Sequence, residues 1–147
     1  KIINKSKSIS YVFLGEGATE EGVFYESLNF AALKKIPVIF ICENNFYSVY
    51  SPIDDRQAKK RNIHKIVNGL GLKSYFSKTK TIDNIFHTIK SAINYCKINS
   101  EPVFIEFQTY RWLEHCGPNE DDHLGYRNNQ ITKLIYCKSL EKYLQKP

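Results

Sequence analysis

The stretch GEGATEEGVFYESLNFAALKKIPVIFICENN, residues 15–45, decides how the rest of the chain is read. A carboxylate between two glycines opens it, and a pair of asparagines closes it. Between those ends Val23, Phe24, Ser27, Leu28, Ala31 and Ala32 recur at helical spacing, which predicts a helix over residues 19–35. Thr19 is placed to cap that helix, and Glu20 and Glu21 suit its first turn. Pro37 ends it, and VIFIC at 38–42 is a continuous apolar run of strand length. ISYVFL at 9–14, just before the stretch, reads as a second buried strand. Strand, glycine turn, helix, strand is the βαβ unit of a parallel sheet.

The flanking segments extend that unit. Residues 51–60 read as loop and short helix, and 62–70 as a helix ended by Gly69 and Gly71. Residues 73–80 have room for a short strand. Residues 82–98 form an amphipathic helix with Ile85, Phe86, Ile89, Ala92, Ile93 and Cys96 on one face. VFIEF at 103–107 is a third apolar strand, 111–126 a polar loop, and 130–144 a closing helix. The expected fold is α/β, a parallel sheet with flanking helices, in one domain over residues 1–147.

Composition sets the outer bounds. A chain of 147 residues can bury a substantial core, and 42% hydrophobic with 24% charged residues is ordinary for a soluble domain. No apolar run approaches the roughly 20 residues of a membrane span, and the basic start lacks the apolar segment of a secretory signal. The chain begins at Lys1 and contains no methionine, so an excerpt of a longer polypeptide is expected. Its net charge of +6 either favours anionic partners or reflects a composition rich in Lys, Asn and Ile. Scattered lysines and the lack of an RNA-binding aromatic motif weigh against a nucleic-acid binder. Cys42, Cys96, Cys116 and Cys137 form no C-x-x-C pair, which weighs against a zinc or redox site. Cys42 reads as a small core residue, and a reducing, cytoplasmic compartment fits.

Ligands of parallel α/β sheets bind at the carboxyl ends of the strands. Glu16 and the Asn44–Asn45 pair follow two such strands. The Gly15–Gly17 turn allows close approach of backbone to a ligand, and the helix after it aims amides at an anion. One carboxylate and one amide oxygen are hard ligands suited to Mg²⁺. The pattern points to a diphosphate bridged to protein by magnesium. GEGATEEG lacks the Gly-Lys-Ser/Thr ending of a Walker loop.

These residues resemble the G-D-G … N-N thiamine diphosphate motif. The fuller string, from GEGA through NFAAL and PVIF to ENN and Tyr47, is similar to the alpha subunit of thiamine diphosphate-dependent 2-oxo acid dehydrogenases. TYRWLEHCGPNEDDHLGYR at 109–127 resembles that subunit's second landmark, a T-Y-R-x-x-x-H loop with a downstream Y-R. The resemblance covers nearly the whole chain and about half of a family subunit. It implies a thiamine diphosphate-binding fold, here partial, and an oxidative decarboxylation component acting on a 2-oxo acid. By the same resemblance Glu16, Asn45 and the backbone of Tyr47 hold Mg²⁺. Gly15, Gly17 and Ala18 lie beside the diphosphate, and His115 is the active-site histidine that handles protons. The partner implied is a beta-type subunit in an α2β2 heterotetramer; it supplies the activating glutamate, so this chain is inactive alone.

Three departures stand out. Glu16 replaces the usual Asp, one methylene longer. Cys116 stands where pyruvate-type members often carry a phosphorylatable Ser. The E-H-C-G-P wording resembles bacterial members, including acetoin-type relatives. A non-catalytic remnant or assembly module that keeps the fold is the alternative reading. Arg111 can contact phosphate or pair with Asp121 or Asp122, and pairing is expected, with Arg127 similar. Glu43 is expected to cap its turn, and His64, His87 and His123 to lie on the surface.

Overall fold

The computed structural model describes residues 8–77 and 81–127. The elements run β1 (Ser10–Gly15), α1 (Gly22–Leu33), β2 (Val38–Asn44), β3 (Tyr47–Ser48), β4 (Ser51–Pro52), α2 (Ile53–Arg56), α3 (Ile63–Gly69), β5 (Lys73–Ser77), α4 (Ile82–Asn99) and β6 (Val103–Gln108). Two 3-10 turns, Glu16–Glu20 and Asp122–Leu124, complete them. The helix expected at 130–144, Cys137 and the end of the segment at 73–80 lie outside the described residues.

The main sheet is parallel throughout, in the order β1-β2-β6-β5. The expected α/β fold, a parallel sheet with flanking helices, is the one observed. Side-chain alternation splits the apolar runs between two layers. Val38, Phe40 and Cys42 of β2 and Phe104 of β6 pack with Phe24, Leu28 and Ala31 of α1 and with Ile63 and Val67 of α3. Ile39 and Ile41, with Val103, Ile105 and Phe107, pack on the other face against Ala92 and Cys96 of α4. A continuous apolar strand is therefore what a sheet with helices on both sides requires.

Several expectations are corrected. The helix after the glycine turn starts at Gly22 with Glu21 as its cap residue, not at Thr19. The Thr19 hydroxyl is committed elsewhere: it donates to the Glu16 carbonyl at 2.6 Å inside the 3-10 turn. Val23, read into the helical spacing, and Phe86, read onto the apolar face of its helix, are 65% and 60% exposed, because the buried stripes run through Phe24–Leu28–Ala31 and Ala92–Cys96. β1 forms as expected but is not buried, with Phe13 66% exposed. Among the described residues β1 pairs only with β2, so it is an edge strand. The hairpin of β3 and β4 had no apolar alternation to announce it.

Helix α3 is capped by Asn62, whose side chain accepts a hydrogen bond from the Lys65 amide at 2.9 Å. Asn62→Ala is expected to cost about 1 kcal/mol, read as a lower urea midpoint at unchanged slope.

Candidate diphosphate and metal site

The register brings the functional loops together. Gly15 of β1 lies opposite Glu43 of β2, and Asn44 opposite Gln108 of β6. The chain thus leaves the three strands side by side, and the Thr109 amide donates to the Asn44 carbonyl at 2.8 Å. Glu16, Asn45 and the start of the 109–127 segment share one edge of the sheet, the edge at which such folds bind ligands.

Glu16 opens the 3-10 turn and is 1% exposed. The backbone amides of Glu16 and Asn45 act to lower its pKa. Arg56 of α2 donates Nη2–H to Glu16 Oε1 at 2.7 Å. Burial nonetheless pushes the Glu16 pKa above its ordinary value, an effect the amides and Arg56 offset only in part. Gly17 is needed at its position: a Cβ there would lie 2.9 Å from Ser48 Oγ and 3.1 Å from Ser48 Cβ. The missing side chain lets β3 close against the turn. Ala18 follows in the same turn.

Asn44 and Asn45 behave differently. Asn44 is buried, accepts from the Phe46 amide at 3.0 Å, and donates Nδ2–H to Glu106 Oε1 at 2.7 Å. Asn45 accepts from the Tyr47 amide at 2.9 Å, which leaves its Oδ1 a second lone pair. Phe46, which follows them, is left-handed, at φ 68°, an uncommon conformation for a bulky residue. The turn is therefore held by the asparagine side chains, while Glu43 is exposed, contrary to its expected role.

The second landmark seats beside this turn. Arg111 donates to the Val49 carbonyl at 2.7 Å and to the Tyr126 hydroxyl at 2.8 Å, with Asp121 farther away at 3.8 Å. Arg127 pairs closely with Asp121 and lies 3.1 Å from Asp122. Asn45, Tyr47, Tyr110, Arg111 and Arg127 line a cavity of about 20 Å³, room for a water-sized group. Around His115 the chain loops back on itself: the Glu114 amide donates to Asn119 O at 2.9 Å. His115 is exposed, and among the described residues it has no hydrogen bond or ion pair. The geometry therefore gathers Glu16, Gly17, Asn45 and Tyr47, while His115 extends from a neighbouring loop.

Other residues of this end were not read from the sequence. Arg61 donates to the Thr19 carbonyl at 2.6 Å and to the Gln57 side chain at 2.6 Å, tying α1's entry to the segment after α2. His64, expected at the surface, is half-buried, and its Nε2 lies 2.8 Å from Glu106 Oε2 without the alignment of a hydrogen bond. The signal for this pair was Glu106 itself, an acid inside an apolar strand, since carboxylates are rarely buried without a partner. His87 and His123 are exposed, as expected.

The donor set suits a hard cation. Among the described residues no group of three His, Cys, Asp or Glu side chains is placed to hold a metal. A cation here would rely on one buried carboxylate, amide and backbone oxygens, and phosphate oxygens of its ligand, a set that matches Mg²⁺.

The family model for the dehydrogenase E1 component matches residues 1–145. The pyruvate dehydrogenase E1 component subunit alpha of Rickettsia bellii is 32% identical over 127 residues, covering 86% of this chain and 38% of the relative. The 2-oxoisovalerate dehydrogenase subunit alpha of Bacillus subtilis is 32% identical over 128 residues, covering 87% and 38%. The chain thus spans 38% of the length of these curated relatives. Among solved structures, a thiamine diphosphate-dependent 4-hydroxybenzoylformate decarboxylase from Rhodococcus jostii aligns at TM-score 0.55 and 21% identity, covering 74% of this chain and 21% of that one. A transketolase from Campylobacter jejuni aligns at TM-score 0.59 and 21% identity, covering 69% and 16%. Fold, motif order and match together show that the chain belongs to the dehydrogenase E1 component family, and the relatives it matches are alpha subunits.

Proposed function

We propose that this chain is the diphosphate- and magnesium-anchoring part of a thiamine diphosphate-dependent 2-oxo acid dehydrogenase, the component that carries out oxidative decarboxylation. The observation that carries this reading is the buried Glu16 carboxylate at the end of β1, set at the same sheet edge as the asparagine turn that leaves β2, so that the fold joins the two halves of the motif. Glu16, Asn45 Oδ1 and the Tyr47 carbonyl would hold Mg²⁺. The backbone of Gly15, Gly17 and Ala18 would lie beside the diphosphate. When bound, thiamine diphosphate supplies the electron sink for losing carbon dioxide from a 2-oxo acid. The protein's share is to orient and neutralise the diphosphate. His115, exposed at the same end of the sheet, would exchange protons with the reacting groups.

A beta-type partner in an α2β2 assembly fits the exposed apolar surface. Phe13 on β1, and Phe30 and Leu33 on α1, are 66%, 55% and 72% exposed. Activity is expected only with that partner. Among the described residues no helix is long and apolar enough to cross a membrane. Among the described residues Cys42, Cys96 and Cys116 form no disulfide, which fits a cytoplasmic setting. The names of the relatives divide between pyruvate and 2-oxoisovalerate, which supports a 2-oxo acid as the substrate class.

Calorimetric titration of thiamine diphosphate into the chain tests this reading. Binding is expected to require Mg²⁺, and Asn45→Ala is expected to weaken it about 10- to 100-fold. Binding that ignores both Mg²⁺ and the substitution would instead favour a non-catalytic assembly module. The observation on that side is the engagement of Glu16 by Arg56.

A further inference from the structure

Arg56 already occupies the Glu16 carboxylate that the anchor would offer to a metal cation. It projects from α2, a short helix that neither motif of the family resemblance includes. Its guanidinium makes three contacts: Nε–H donates to the Ser51 carbonyl at 3.2 Å, Nη2–H to Glu16 at 2.7 Å, and Nη1–H to Glu20. The side chain is 14% exposed and that of Glu16 1%. A Cβ on Gly17 would lie 3.6 Å from Nη1, so the guanidinium also lies against the backbone expected beside the diphosphate.

A desolvated carboxylate needs a cationic partner, and leaving it unpaired is costly. The Arg56 guanidinium meets that need in the metal-free chain. It also has somewhere to go. Glu20, which Gln57 holds through Nε2–H at 2.7 Å, is a second acid already in its grasp. Releasing Glu16 would cost Arg56 one contact of three and leave its charge paired.

We propose that Arg56 is a displaceable counter-ion: it occupies Glu16 until a divalent cation arrives, then withdraws to Glu20. This inference rests on the metal-anchor reading above. It makes Arg56 and the metal competitors for one carboxylate, so each weakens the other's hold by the same factor. Glu16 is thereby kept neutralised and oriented before loading.

Binding of Mn²⁺ in the presence of thiamine diphosphate, followed by the paramagnetic resonance of free Mn²⁺, tests the proposal on the full chain. Arg56→Gln is expected to bind Mn²⁺ about tenfold more tightly than the wild type, within the usual range for such coupling. Glu16→Gln is expected to lose binding. Equal or weaker Mn²⁺ binding by Arg56→Gln, with binding lost in Glu16→Gln, overturns the displacement and leaves the anchor standing, with Arg56 a positioning residue. Mn²⁺ binding unchanged in Glu16→Gln, or absent from every chain, overturns the anchor and the proposal with it. Arg56→Lys keeps the charge but not the planar fork. It serves if Arg56→Gln does not fold, with a smaller tightening expected and no tightening counting against the proposal. The counter-ion role has its own readout in the metal-free chain. The fall in thermal midpoint caused by Arg56→Gln is expected to disappear in the Glu16→Gln background, and an undiminished fall contradicts it.

Discussion

Replacing Glu16 with alanine is expected to lower Mg²⁺-dependent affinity for thiamine diphosphate by at least about 100-fold, more than loss of an outer-shell group. Glu16 is the one carboxylate of the proposed donor set, and it is buried at the end of β1 beside the Arg56 guanidinium. Calorimetry checks this, with an unchanged affinity as the contrary result. A pH dependence accompanies it. Burial raises the Glu16 pKa in the folded chain, so the fold favours the protonated form. Its contribution to stability is therefore full below the ordinary carboxylate pKa of about 4.3 and is lost as pH rises through the raised folded value. In the metal-free chain the Glu16 contribution should fall on going from acid to neutral pH, and Glu16→Gln should lack that part of the pH dependence. Mg²⁺ with thiamine diphosphate should restore the wild type by binding the folded state. Urea midpoints at both ends of that range, with and without metal, measure all three.

The second large effect is in the core. Phe104→Ala is expected to destabilise the chain by about 3–5 kcal/mol, a large part of the roughly 5–15 kcal/mol that holds a domain together. Phe104 is 0% exposed on β6, between β2 and β5. Its ring meets Phe24 edge-on at 6.0 Å and the His64 ring at 6.3 Å. Removing it therefore undercuts both α1 and the His64–Glu106 pair behind the asparagine turn. Phe13→Ala is the control of equal chemistry: at 66% exposure on β1, it should change the urea midpoint of the isolated chain little, by about 0.5 kcal/mol or less. Comparable losses from both would contradict the core as described.

The contrast between those two phenylalanines shows what could be read from the sequence. Both lie in apolar runs, and both runs are strands. A continuous apolar run states that a strand expects cover on both faces, but not whether the chain at hand provides it. β2 and β6 are covered by α1, α3 and α4. β1 lies at the edge of the described sheet, and its Tyr11, Val12 and Phe13 side chains stay exposed. The site divides along similar lines. Glu16, Gly17, Asn45 and Tyr47 are close in the fold because strand ends in register carry them, and the motif records that spacing. Arg56 reaches Glu16 through a hairpin and one helical turn whose sequence has no periodicity, and nothing in its surroundings marks it out from the other basic residues. Glu106 was visible as an acid in an apolar strand, but its partners, His64 and Asn44, follow only from the packing of α3 on β6.

Anomalous diffraction from crystals grown with Mn²⁺ and thiamine diphosphate tests the central claim most directly. The account predicts a single strong peak at about 2.0–2.2 Å from a Glu16 carboxylate oxygen, Asn45 Oδ1 and the Tyr47 carbonyl oxygen, with diphosphate oxygens completing the shell. A peak held by other residues, or none at the carboxyl ends of β1 and β2 with the cofactor bound, would contradict it.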